Sequence, residues 1–164
     1  MTTRQIHTER VSVISRKSFE EVVAAFEAAI GHPDMSTFQS DMGATKNFAE
    51  LESLVQRALG PSGFMEFVRF NLGAVLRKES GREKPKILRF VIGNPLVMKE
   101  MAKHVSDAAS YAPVTVLIDE RPDGVHLTYD TMAGLLASYG SEEALKVARS
   151  LDLKVEALLR KAGG

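Results

Sequence analysis

Val114-Thr115-Val116-Leu117-Ile118-Asp119-Glu120-Arg121-Pro122-Asp123-Gly124-Val125-His126-Leu127-Thr128-Tyr129-Asp130 decides the fold. Val114 to Asp119 and Val125 to Asp130 are runs of strand length, rich in β-branched and aromatic residues. Pro122-Asp123-Gly124 between them is turn chemistry, so the runs fold back on each other as an antiparallel hairpin.

Upstream of the hairpin, Lys86 to Ile92 is a strand apolar on both sides, with Ile87 and Val91 on one and Leu88, Phe90 and Ile92 on the other. Such a strand belongs in the middle of a sheet. Gly93-Asn94-Pro95 breaks it. Asn94 caps a helix through Val97, Met98, Met101 and Ala102, and Pro95 suits its first position. Phe64 to Leu72 is another strand, and Gly81 to Pro85 a polar turn. Thr8 to Ser15 alternates as a first strand.

Helices fill the intervals. Ser18 and Glu21 make a capping box ahead of the stripe Phe19, Val22, Val23, Phe26 and Ile30. Residues 34–46 have no period and read as a loop. Asn47 caps a second helix through Leu51, Leu54, Val55, Ala58 and Leu59. Leu135, Leu136 and Tyr139 suggest a short helical turn. Ser141 opens the last helix, with Glu142 and Glu143 at the end where the dipole favours acids. The order β-α-α-β-β-α-β-β-α has more hairpins than crossovers. It predicts an α+β fold over residues 1–164 as a single domain: a two-layer α/β sandwich with a curved, mainly antiparallel sheet and helices packed on one face.

Lysines plus arginines number 21 and acids 21, a balance that gives no electrostatic case for nucleic acid as partner. No apolar run approaches the roughly 20 residues of a membrane span. The absence of cysteine excludes disulfides and thiolate metal sites. Together with an N-terminus lacking a secretory apolar stretch, it makes the cytoplasm the expected compartment.

Further residues carry a likeness. Phe90-Val91-Ile92-Gly93-Asn94-Pro95-Leu96-Val97, Tyr111-Ala112-Pro113 leading into Val114 to Glu120, Asp123-Gly124 and Tyr129-Asp130 resemble the family called domain of unknown function 302. Gly63-Phe64-Met65-Glu66-Phe67 and Leu151-Asp152-Leu153-Lys154 extend the likeness over nearly the whole chain. The resemblance implies a curved antiparallel sheet with helices on one side, often as a homodimer, and no reaction. The Asp-His pair frequent in the family is replaced here by Asn71 and Leu72, which can supply neither a carboxylate base nor a titrating ring. The Pro-Ser-rich turn expected after Tyr129-Asp130 is replaced by Thr131-Met132-Ala133.

Few residues point to chemistry. A strand running into a helix at Gly93-Asn94-Pro95 aims free amides at a possible anion, although turn and cap account for the same residues. The histidines are scattered without metal-ligand spacing. His126 and Asp130 share one face of a strand, as a solvated pair or as an acid–base or metal contact. Asp119 and Glu120 adjoin a turn and read as a solvated hairpin end. No cofactor motif is present, and the chain reads as leaning away from catalysis.

The sheet's second face invites a partner. With helices over Val68, Phe70, Val91, Val116 and Leu127, the opposite side would carry Met65, Phe67, Leu88, Phe90, Ile92 and Leu117, with Arg69, Thr115 and Thr128 between them. A second subunit, a ligand or the C-terminal helix could cover such a patch, and a homodimer is the expectation. The resulting reading is a non-catalytic homodimeric binding or structural module. The alternative is an enzyme or sensor for a small acidic or aromatic ligand held near Gly93, Asn94, His126 and Asp130.

Overall fold

The hairpin forms as its pattern requires in the computed structural model, which describes residues 1–164: β4 (Val114–Arg121) pairs antiparallel with β5 (Gly124–Asp130). Gly124 is obligatory there. Its φ is +141°, and a Cβ would lie 2.5 Å from the Ser15 carbonyl oxygen. Around the hairpin lie β1 (Arg10–Ser15), β2 (Met65–Asn71) and β3 (Ile87–Gly93). The five strands run in the order β1-β5-β4-β3-β2, with every neighbouring pair antiparallel.

Seven helices accompany the sheet: α1 (Phe19–Glu27), α2 (Met35–Ala44), α3 (Phe48–Ala58), α4 (Gly73–Ser80), α5 (Pro95–Ala102), α6 (Met132–Ala137) and α7 (Glu142–Gly163). The α+β fold is as expected. Ser18 accepts from the Glu21 amide, Asn47 from Glu50, Asn94 from Leu96 and Ser141 from Ala144, so the caps read from the sequence are the caps observed. None of these helices is long and apolar enough to cross a membrane.

Two elements differ from expectation. Residues 34–46 are not a loop: α2 starts at Asp34, whose carboxyl accepts from the Thr37 amide at 2.8 Å. Met35, Phe38 and Met42 lie along one helical face, but the Ser, Thr, Gln and Asp between them hide the period. The helix α4 also precedes the polar turn and stops at Gly81, which is left-handed at φ 65°.

The covered face of the sheet differs as well. In the antiparallel register Phe90 pairs with Val116, and Val116 with Tyr129, so these three share a side. Leu88, Phe90 and Ile92 therefore turn toward the helices with Val114, Ile118, Val125 and Leu127, and this core includes α1, α5, α6 and α7. Val68, Phe70 and Val91 turn away, the reverse of the expectation. A strand apolar on both sides does not say which side is inward, and only the register decides. A bulge at Phe67 shifts the β2–β3 register between Glu66 and Val68. Met65 is buried beneath α2 and α3 with Phe38 and Val55. Arg69 lies on the helical side, 4.6 Å over the Phe90 ring, and pairs with Glu27 and Glu66.

The C-terminal helix does not cover the open face. It packs on the helical side, where a Cβ at Gly163 would meet Val13 Cγ1 at 2.7 Å and Leu127 Cδ1 at 3.5 Å. The Ser15 hydroxyl donates to the Gly163 carbonyl at 2.5 Å and joins β1 to the end of α7.

Candidate functional site

The turn Gly93-Asn94-Pro95 lies at the mouth of an apolar cavity of about 220 Å³. The end of β3 forms one wall, with Pro113 and Val114. Met35, Phe38 and Met42 of α2 form the second, and Val97, Met98 and Met101 of α5 the third. Only Gln39 and Asn94 bring polar side chains, and no charged residue lines it. An apolar engineered cavity of about 150 Å³ stays dry and accepts benzene, so this space suits a neutral molecule of one or two rings. Methionine adds adaptability, because its unbranched thioether refills irregular gaps.

Each residue of the turn has a local cause. A Cβ at Gly93 would stand 3.1 Å from Pro113 Cβ and 3.3 Å from the Phe67 ring, so glycine lets both close in on the strand end. Asn94 Oδ1 accepts from the Leu96 amide at 2.9 Å while Nδ2 donates to the Gly63 carbonyl at 3.2 Å. Both ends of that side chain are engaged. The turn therefore holds α5 against the entry of β2, and the cavity results from that placement.

His126 and Asp130 lie elsewhere. Both face the open side of the sheet. His126 Nε2 lies 2.9 Å from Asp123 Oδ1 beside the hairpin turn, and this bond lowers the Asp123 carboxyl below its ordinary range. Asp130 takes two bonds from Arg10, at 2.7 and 2.8 Å, which lower its carboxyl likewise. The structure thus gathers Gly93 and Asn94 at one cavity and places His126 and Asp130 apart from it and from each other.

The remaining titratable candidates are also separately engaged. Asp119 accepts from Arg121 at 2.6 and 3.2 Å, and Glu120 pairs with Lys84 at 2.7 Å. The two carboxyls point to opposite faces of β4 and share no proton. His32 meets Glu66 at 3.2 Å and the Glu27 carbonyl at 2.9 Å. Asn71 Oδ1 accepts from the Ala74 amide at 3.1 Å, as a cap for α4. No three His, Cys, Asp or Glu side chains are grouped to hold a metal ion.

Sequence reasoning missed Asp152. It is buried on α7 and accepts from the Tyr129 hydroxyl at 2.6 Å and from the amides of Met132 and Ala133 at 2.8 and 2.9 Å. Desolvation, then Asp152 itself, raises the Tyr129 phenol above its ordinary value. The carboxyl caps α6 from a distance, and no local pattern announces a cap supplied by another helix.

Acid should act on the cavity through Asp34. The Thr37 amide and Ser36 hydroxyl hold its carboxyl at about 2. The folded value is depressed, so this cap acts fully above the unfolded value of about 3.9 and fades as pH falls through the folded one. Carboxyl NMR should give Asp34 a midpoint of about 2, with α2 amide protection declining in parallel. A midpoint at the ordinary aspartate value would contradict the cap.

Comparisons agree on the family and fold. A family model described as "Domain of unknown function DUF302" matches residues 40–162. The crystal structure of an uncharacterised conserved DUF302 protein from Bacillus stearothermophilus is similar, with a TM-score of 0.65. Identity is 12%, over 93% of this chain and 97% of that one, so the likeness concerns the fold. No curated protein matches.

Proposed function

Because the chain belongs to the family of domain of unknown function 302, a family without an assigned reaction, we propose from its own surfaces that it is a non-catalytic homodimeric binding module of the cytoplasm. Its ligand is a small neutral molecule, aromatic or aliphatic, held between α2 and α5. The cavity at Gly93-Asn94-Pro95 carries this reading. Its lining favours the aromatic member of the acidic-or-aromatic alternative, since no cation there would receive an acid. Catalysis is disfavoured because no acid–base pair or nucleophile faces the space. The balance of 21 basic and 21 acidic residues supports the same exclusion of nucleic acid.

Calorimetric titration with indole tests the ligand reading. Indole should bind and raise the melting temperature, as any ligand of the native state does. Met98→Trp, which fills the cavity, should abolish the heat. Absence of binding, or equal binding in the filled variant, overturns the proposal.

The dimer reading rests on an exposed apolar strip at the sheet edge. Val68, Phe70, Leu72 and Leu76 are exposed there, and Val75 is 70% exposed. Val68 and Phe70 belong to β2, an edge strand, and Val75 and Leu76 to the helix that follows. Burial of this strip against a second copy is favourable, as for any contiguous apolar surface. Sedimentation at micromolar concentration should show a dimer that Val75→Glu converts to monomer. A monomer at every concentration removes the partner and leaves the cavity untouched.

A further inference from the structure

We propose that the open face of the sheet carries a second binding site, which shares only Pro113 and Val114 with the cavity and takes a small aromatic carboxylate with Arg89 as its anion-binding residue. The site is a groove of about 560 Å³ bordered by Arg10, Arg89, Arg121, Tyr111, Thr115 and Leu117. Its lining comes from β1, β3, β4, β5, the segment before β4 and Leu135 of α6, not from β2 or α4. Arg89 and Val91 pair with Phe70 and Val68 of β2, so the groove borders the strip assigned to a second subunit without including its side chains.

Charge selects the ligand. Arg10 is matched by Asp130 through two bonds of 2.7 and 2.8 Å, and Arg121 by Asp119 through two of 2.6 and 3.2 Å. Arg89 has no carboxylate. Phe70 and Leu117 lie across from it on the neighbouring strands, and Ile87 and Val91 flank it along its own. Its guanidinium stands 5.5 Å from the Phe70 ring centre. Arg89 is thus the guanidinium of the groove left without a carboxylate within ion-pair distance, while a third acid, Asp123, is engaged by His126 at 2.9 Å beside Arg121.

A guanidinium presents a planar fork of donors that a carboxylate fits with two parallel bonds. Arg89 is exposed, so water screens the bond and the apolar neighbours contribute contact with the ring more than charge strength. The same neighbours give a flat ring somewhere to lie, against Leu117 and Val91 and below Tyr111 and Pro113. One charge and one ring are the features the groove can satisfy together. The ordinary alternative is a solvated arginine that keeps a half-apolar sheet face from self-association.

Titration with 2-naphthoate and with neutral 2-naphthamide separates these. Naphthoate should bind the parent protein about threefold to fivefold more tightly than the amide, the upper range for an exposed ion pair. Arg89→Gln should erase that difference, while Arg89→Lys should restore part of it as a point charge without the fork. The affinity should weaken as salt rises. Saturating indole should leave it unchanged. Failure of naphthoate to bind, an undiminished preference in Arg89→Gln, or displacement by indole overturns the proposal. Failure of indole to bind bears only on the cavity.

Discussion

Replacing Asp152 with alanine is expected to lower the unfolding free energy by about 4 kcal/mol, since each buried donor left without a partner costs about 1–3 kcal/mol. Three donors reach this carboxyl, the Tyr129 hydroxyl and the Met132 and Ala133 amides, of which the Met132 amide has a second acceptor in the Tyr129 hydroxyl at 3.2 Å. The Tyr129 hydroxyl and Met132 amide lie in the core between β5, α6 and α7, while the Ala133 amide is half-buried where Asp152 borders a surface groove. A domain of this size is stable by only about 5–15 kcal/mol, so the variant should sit near the edge of folding. Tyr129→Phe removes the hydroxyl as donor to Asp152 and as acceptor from the Met132 amide, but that amide keeps Asp152, so the loss should be only about 1 kcal/mol. Urea unfolding measures both, with midpoints compared at a common slope. A loss for Asp152→Ala no larger than that for Tyr129→Phe would mean that the carboxyl does not hold α6.

Gly31→Ala should be comparably severe, at about 3 kcal/mol or more, because it forces backbone against backbone and no side chain can yield. A Cβ at Gly31 would fall 1.9 Å from the Ala58 carbonyl oxygen and 2.9 Å from the Gly60 amide nitrogen. This crossing joins the end of α1, the end of α3 and the start of β2. The amides of Gly31 and Gly60 both donate to the Phe64 carbonyl at 2.9 Å, and the Glu66 amide donates to Gly31 at 2.8 Å. The variant should also weaken indole binding, since Phe67 follows directly on this segment and lines the cavity. Gly43→Ala is the control: a Cβ there meets nothing within 4 Å, in the last turn of α2, so it should stabilise by about 0.5 kcal/mol. Thermal and urea melts of the pair should move in opposite directions, and a harmless Gly31→Ala would contradict the crossing.

The parts legible in the sequence were those decided within a few residues. Ser18, Asn47, Asn94 and Ser141 cap their helices as local spacing requires, and Pro122-Asp123-Gly124 turns the hairpin. The parts decided by distant partners were not legible. Whether Phe90 or Val91 faces the helices depends on pairing with Val116, and both neighbours are apolar. Asp152 stands between Leu151 and Leu153 as an ordinary polar residue of an amphipathic helix. Its importance comes from Tyr129 and α6. The turn at Gly93 and Asn94 was visible, but the cavity was not, because one of its three walls belongs to α2, whose Met35, Phe38 and Met42 read as part of a loop. His126 and Asp130 share a face as strand alternation requires, yet separate cations and acids claim them.

Methyl NMR of protein labelled at its seven methionines tests the ligand reading most directly. Addition of indole should shift the methyls of Met35, Met42, Met98 and Met101, which line the space, while those of Met1, Met65 and Met132 hold still. Uniform small shifts, or movement confined to methionines outside the cavity, would contradict it.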